Sequence, residues 1–175
     1  MQNRFSHIGV RRVSLLLLAL SLSMWHPVCG AEIKSPIQVD LRKGVIGSIS
    51  TSDSPEQLKV KLGNSNVTPF TGESEGEQYR GYKLRFQNNE TVTANQSFLA
   101  ITTKGFRTTD GIGVGSSWRE FKKAFSDGEL SWLPDANAIW SEKYKFRVYF
   151  KGNEAPKLSD HVISIEINRG GIERW

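Results

Sequence analysis

A single cysteine, Cys29, is all the thiol in this chain, so no internal disulfide can staple the fold and stability must come from a packed core. Histidine is nearly as scarce, with three in all. Only His161 lies beyond residue 30, and a zinc site built on His and Cys needs several such ligands. A Ser-His-Asp arrangement would have to use the same residue. His161 abuts Asp160 in an expected turn before "HVISIEI" and reads as a solvated loop residue. Neither a metal nor any other cofactor is expected. Past residue 30 there is also no long apolar run, which excludes a membrane-spanning helix in that part.

The one long apolar run lies at the start. Arg4, Arg11 and Arg12 precede "VSLLLLALSLSMW", and a small-residue exit comes next at "VCGA", which is the layout of a secretory signal peptide. Val28 and Gly30 place the cleavage after Gly30, with Ala31 as the first mature residue. "HPVC" puts His26, Pro27 and Val28 where a lipobox wants Leu and small residues, so lipid anchoring at Cys29 is not expected. The expected location is periplasmic or secreted. The whole chain is formally +5, with 23 Lys and Arg against 18 Asp and Glu. The leader holds three Arg and no acid, so 20 basic residues remain against 18 acidic, or +2. That balance gives no footing for a nucleic-acid binder.

Two helix starts share one chemistry. "SPEQLKVKLG" opens at Ser54 with Gln57 three residues on, and "SWREFKKAF" opens at Ser117 with Glu120 three residues on. Both read as capping boxes, in which the Ser oxygen accepts from an orphan N–H and the Gln or Glu reaches back to the cap. Pro55 suits the first helical position. Leu58 and Leu62 share one face of the first helix; Trp118, Phe121 and Phe125 share one face of the second.

The segments after the two helices match at an ungapped offset of 64, with "QYRGYKLRFQNNETVTANQSFLAITTK" lying over "EKYKFRVYFKGNEAPKLSDHVISIEIN". Apolar residues fall in the same parity: Tyr82, Leu84 and Phe86 over Phe146, Val148 and Phe150, then Leu99 and Ile101 over Ile163 and Ile165. Alternation at period two marks strands with one buried face. The reading is an α+β fold of two fused repeats, each a short helix followed by an antiparallel β-meander, forming one curved sheet with helices on one face. Its expected divisions are a leader at 1–30, an N-terminal extension at 31–43, a first repeat at 44–104 and a second at 105–175.

The stretch "GIGVGSSW" invites comparison with a phosphate loop. Gly111, Gly113 and Gly115 alternate, but no Lys comes after them and the dinucleotide spacing is missing, so such a loop is not indicated. Ile112 and Val114 between the glycines predict a short extended segment packed on one side, with glycine letting another backbone approach. "FRTTDGIGVGSSWREFKKAF" and its shorter echo "GVIGSISTSDSPEQLKVKLG" resemble the repeat opening of the secreted β-lactamase inhibitor protein and small outer-membrane assembly lipoprotein group. The resemblance spans about Gly44 to Asn168 and implies helix-then-strand domains whose tandem pair forms a continuous concave sheet. The chain departs from that group in lacking a lipobox and the inhibitor's disulfide, and in carrying "SISTSD" before the first cap.

If Tyr82, Leu84, Phe86, Phe146, Val148 and Phe150 point to the helices, the other parity points away. That set is Tyr79, Lys83, Arg85, Lys143, Lys145, Arg147 and Tyr149, with Lys151 beyond and Phe98 joining by parity with Leu99. A positively charged face studded with aromatics is what protein interfaces use. Trp140 falls on the core parity. The expected function is non-catalytic recognition of another protein's acidic surface by this face, in the manner of an inhibitor or immunity protein. A periplasmic scaffold or assembly factor is the alternative. A carboxylate-based glycan hydrolase also stays open, because the meeting of two among eighteen acids depends on the fold. "GESEGE", with Glu73, Glu75 and Glu77, reads as an acidic loop that a cation could occupy.

Overall fold

The computed structural model describes residues 35–74, 76–126 and 128–170. The expected signal peptide, its cleavage site, Cys29, Glu75 and Trp175 lie outside them. The fold is α+β, with two helices and twelve strands, mostly antiparallel, among the described residues.

Both capping boxes form. In α1 (Pro55–Leu62), Ser54 Oγ accepts from the Gln57 amide at 3.3 Å, and Gln57 Oε1 accepts from the Ser54 amide at 2.8 Å. In α2 (Trp118–Ala124), Ser117 and Glu120 do the same at 3.3 and 2.6 Å. Each helix is only about two turns long, too short to hold without packing. Leu58 and Phe121, both 0 % exposed, supply that packing.

The main sheet has eight antiparallel strands in the order β4 (Val67–Ser74), β5 (Glu77–Arg85), β6 (Thr91–Ala94), β7 (Phe98–Ile101), β12 (Val162–Asn168), β11 (Phe146–Phe150), β10 (Ala138–Ser141) and β9 (Ser131–Leu133). One meander runs β4 to β7 and another β9 to β12, and the last strands of the two meet in the middle. The inner face carries Leu84, Val92, Leu99, Ile101, Phe146, Val148, Ile165 and Ile167, all buried in one cluster with Leu58 and Phe121. Burying each such side chain contributes about 1.5–3 kcal/mol.

A second sheet joins the same cluster. It orders β3 (Ile49–Ser50), β2 (Val45–Ile46), β1 (Ile37–Asp40) and β8 (Phe106–Thr108), with β1 and β8 parallel. Ile37–Asp40, within the segment 31–43 expected as an extension, thus form a strand whose Val39 is buried.

The glycine stretch serves packing. Ile112 and Val114 are buried, and Arg107 Nη1 donates to the Val114 carbonyl at 2.8 Å. A Cβ at Gly113 would collide with the Phe106 carbonyl oxygen. The segment turns rather than running extended, because Gly111 and Gly115 take φ of 78° and 90°, angles that glycine reaches without steric cost. The Gly115 amide donates to the Val162 carbonyl at 2.7 Å, and His161 Nδ1 lies 3.0 Å from the Gly115 carbonyl. His161 is exposed, with its ring tied to that loop.

Ile163 departs from the expected parity. Tyr149 pairs with Ser164 and Phe150 with Val162, so a bulge leaves Ile163 without a partner and 50 % exposed.

Glu129, between α2 and β9, anchors the outer meander. Its carboxylate accepts from the Ser126 amide at 2.9 Å, Lys143 Nζ at 2.8 Å and the Tyr144 hydroxyl at 2.9 Å. Those bonds, Lys143's first, hold its pKa down at about 2 instead of 4.5. A carboxylate whose folded pKa is depressed contributes stability above its unfolded pKa and loses it as pH falls. The urea-melt stability gap between the native protein and Glu129→Gln should therefore be full above about pH 4.5 and close towards about pH 2. A gap that stays constant across that window would show that the carboxylate's charge contributes nothing.

Candidate functional site

Leu58 of α1 and Phe121 of α2 share one buried cluster with the inner-face residues of the main sheet, and the strand registers fix what stands on the other face. Lys83 pairs with Thr93, Thr93 with Ala100, Ala100 with Glu166, Glu166 with Arg147, and Arg147 with Trp140. Directly opposed residues of an antiparallel sheet point to the same side, so these six form one row across the outer face. Lys83 and Arg147 are four strands apart, or about 19 Å at the usual inter-strand spacing.

At the β4–β5 end, Phe70 and Tyr79 meet edge to face with ring centroids 6.0 Å apart. Each ring lies across a glycine on the facing strand: Phe70 over Gly81 and Tyr79 over Gly72. A Cβ on Gly81 would fall 2.8 Å from Phe70 Cε1 and 2.6 Å from the Ala94 carbonyl oxygen. The glycines make room for two flat rings on an otherwise open surface.

A denser cluster sits where β7, β12, β11 and β10 lie side by side. Tyr149 donates its hydroxyl proton to Glu166 Oε2 at 2.7 Å. Burial, reinforced by that carboxylate, pushes the phenol up to about 12, so Tyr149 stays a donor. Trp140 Nε1 donates to Glu142 Oε2 at 2.7 Å, and Glu142 is also ion-paired with Lys145. The bonds from Lys145 and then Trp140 lower the Glu142 pKa. The Arg147 guanidinium lies 5.5 Å from the centroid of the Trp140 ring and Lys145 Nζ 6.0 Å from it, within cation–π range. Between these groups is a recess of about 120 Å³ lined by Ser97, Phe98, Trp140, Arg147, Glu166 and Asn168.

Of the eight residues expected on this face, strand register puts Tyr79, Lys83, Arg85, Phe98, Arg147 and Tyr149 there. They fall in two groups, with Tyr79, Lys83 and Arg85 on β5 and Phe98, Arg147 and Tyr149 about the recess. Lys143 and Lys145 depart from the expected strand positions. Both lie in the turn between β10 and β11, where Lys145 adopts a φ of 56°. Lys143 is committed to Glu129 and lies 4.9 Å from the Tyr144 ring, whereas the Lys145 amine reaches back to Glu142 and Trp140. Trp140, expected in the core, is on the outer face; Ile139 takes the core position at 3 % exposure.

Phe70, Ser97, Glu166 and Asn168 are the unforeseen members, and the last two share β12. With Ile165 and Ile167 inward, the alternation of "HVISIEIN" places both outward, so period-two patterning carries the signal. Glu166 makes the face less basic than Lys and Arg alone imply. Glu73 and Glu77 sit exposed near the tip of the β4–β5 hairpin. Among the described residues no group of three or more His, Cys, Asp or Glu is arranged to hold a metal ion. No described helix is long and apolar enough to cross a membrane.

No family model matches the chain, and no curated protein does. Among solved structures it is similar to the crystal structure of an uncharacterized protein, YfeY of Escherichia coli. The two are 11 % identical with a TM-score of 0.48, over 77 % of this chain and 99 % of that one. A likeness at that level carries no argument about function.

Proposed function

We propose that this chain is an exported, non-catalytic binding module that recognises a partner protein with the outer face of its main sheet, in an inhibitor-like or immunity-like manner. The observation that carries the reading is an open sheet face bearing two aromatic clusters and three cations. Among the described residues neither Lys83, Arg85 nor Arg147 lies within 4.0 Å of a carboxylate. Aromatic and Arg anchors bury large areas at small entropic cost, and unpaired cations complement an acidic surface.

The same reading makes the chain two fused repeats, α1 with β4–β7 and α2 with β9–β12. The mirrored strand order about the β7–β12 seam supports it. On that basis β5 corresponds to β10 and β6 to β11. The ungapped offset of 64, which lays β5 over β11, is then one strand out of step, though it aligns β7 with β12.

Residues 31–175 immobilised as bait, beside an Arg147→Glu, Tyr149→Ala double variant that melts at the same temperature, test the site. The native bait should retain a protein from envelope or culture-supernatant extract that the variant loses. That protein, purified, should bind saturably and lose or keep its own activity according to whether the role is inhibition or docking. Equal retention by both baits would remove the site from this face.

A further inference from the structure

We infer that the recess between Phe98 and Trp140 is a binding site for one ring of a neutral sugar, gripped through a pair of adjacent hydroxyls. This goes beyond the protein-partner reading and does not depend on it.

The charge of the recess is balanced. It is lined by one cation, Arg147, and one anion, Glu166, beside the neutral Ser97, Phe98, Trp140 and Asn168. A small acidic ligand seated inside the recess would meet Glu166 and a small basic one Arg147, and either encounter is costly where water is partly excluded. A neutral ligand meets no such opposition.

The two charges are also held apart. Arg147 and Glu166 are directly opposed in register, the arrangement that ordinarily gives a cross-strand ion pair. Yet no pair forms between them within 4.0 Å. Glu166 Oε2 accepts from the Tyr149 hydroxyl at 2.7 Å, while the Arg147 guanidinium lies over Trp140 and also acts on the Tyr149 oxygen, so Tyr149 stands between the two charges. The lining of the recess therefore includes an acceptor-only group, the Glu166 carboxylate, and a donor-only group, the Arg147 guanidinium. A ligand spanning them must donate at one point and accept at a neighbouring one. Each hydroxyl of a vicinal diol can do both. Asn168 extends the pattern: its Oδ1 is occupied by the Gly170 amide at 2.7 Å, which leaves its NH₂ group as a further donor.

Shape agrees. About 120 Å³ falls below the roughly 300–1,000 Å³ of sites for cofactor-sized ligands, and suits a single ring. Phe98 and the indole of Trp140, fixed by its bond to Glu142, provide apolar surface for the ring's C–H groups. Among the described residues no helix or strand lines the recess from above, so a longer chain can continue beyond it. Among the described residues Glu166 is the only carboxylate lining it, whereas glycoside hydrolysis takes a flanking pair. The site is one of binding, not turnover.

The experiment monitors the Trp140 indole N–H in ¹⁵N-labelled residues 31–175, its resonance assigned with Trp140→Phe. Cellotetraose, maltotetraose and xylotetraose, all neutral and carrying 2,3-diols on their internal rings, are added separately to millimolar concentration, and a capped peptide of four glutamates serves as the acidic probe. At least one tetrasaccharide should shift the resonance saturably. Phe98→Ala and Arg147→Met, each checked for an unchanged melting temperature, should weaken that binding about tenfold or more. Silence from all three sugars overturns the inference, as does binding that survives both substitutions. A shift by the glutamate peptide alone also overturns it, while leaving the acidic-partner reading standing. Sugar binding by a chain that retains no protein partner has the opposite meaning.

Discussion

Phe146→Ala should be among the most damaging truncations in the molecule, costing about 3–5 kcal/mol, as is usual for deleting a fully buried aromatic ring. Phe146 is 0 % exposed and opens β11, paired with Ser141 on one side and Ile167 on the other. Its ring centroid lies 5.1 Å from that of Phe125, which in turn stacks on Phe121 of α2 at 6.1 Å and tilts against Tyr144 at 6.0 Å. One ring thus joins helix, turn and sheet, and the surrounding backbone is too constrained to collapse into the space left behind. A loss of that size should lower the melting temperature by on the order of 10 °C. A loss below about 1 kcal/mol would mean that the site refills, contrary to the packing described.

Asp53→Ala should be comparably severe for an electrostatic reason. Asp53 is only 4 % exposed. Its carboxylate accepts from Lys61 Nζ at 2.7 and 2.8 Å and from the Ser50 amide at 2.7 Å. Arg169, which comes directly after β12 and is 6 % exposed, donates to the Asp53 carbonyl. Burial pushes the guanidinium's pKa down to about 10, and the charge of Asp53 opposes that shift. Removing the carboxylate deprives a buried cation of a neighbouring negative charge and orphans a backbone donor. Leaving the Ser50 donor without its partner and a buried cation without that charge should cost about 1–3 kcal/mol each. Lys61→Met should cost far less, since the Lys61 side chain is 36 % exposed and its share is screened by water. If the two substitutions prove equally mild in urea melts, the network is not what ties residue 53 to the end of β12.

Local chemistry is the most legible part of this fold. Ser54 with Gln57, and Ser117 with Glu120, announce both helices because a capping box is complete within four residues. Alternation announces the buried faces of β5, β7 and β11, where nothing interrupts the pleat. It fails where the pleat is interrupted. The turn at 142–145, with Lys145 in a left-handed conformation, resets the parity, so Trp140 cannot be placed by counting back from Phe146. The bulge at Ile163 does the same within β12. The small sheet is illegible because β1 and β2 are too short for a pattern and β1 finds its parallel partner near residue 106. The site divides along the same line. Its aromatics and cations are visible as an outward parity, but their separation into two groups depends on strand order, which only the assembled sheet supplies.

That order bears on how the molecule comes to be made. Each meander can close from neighbours in the chain, a local and fast process. The strand at the middle of the sheet, β12, is the last one described, and its Ile165 pairs with Ile101 on β7. Until it arrives, β7 and β11 each present an unsatisfied edge, with Phe146, Val148 and Leu99 uncovered beside it. Exposed edges of that kind recruit other chains. An emerging polypeptide therefore passes through a stage at which its two halves are formed but unjoined, and insertion of the central strand ends its period of greatest risk.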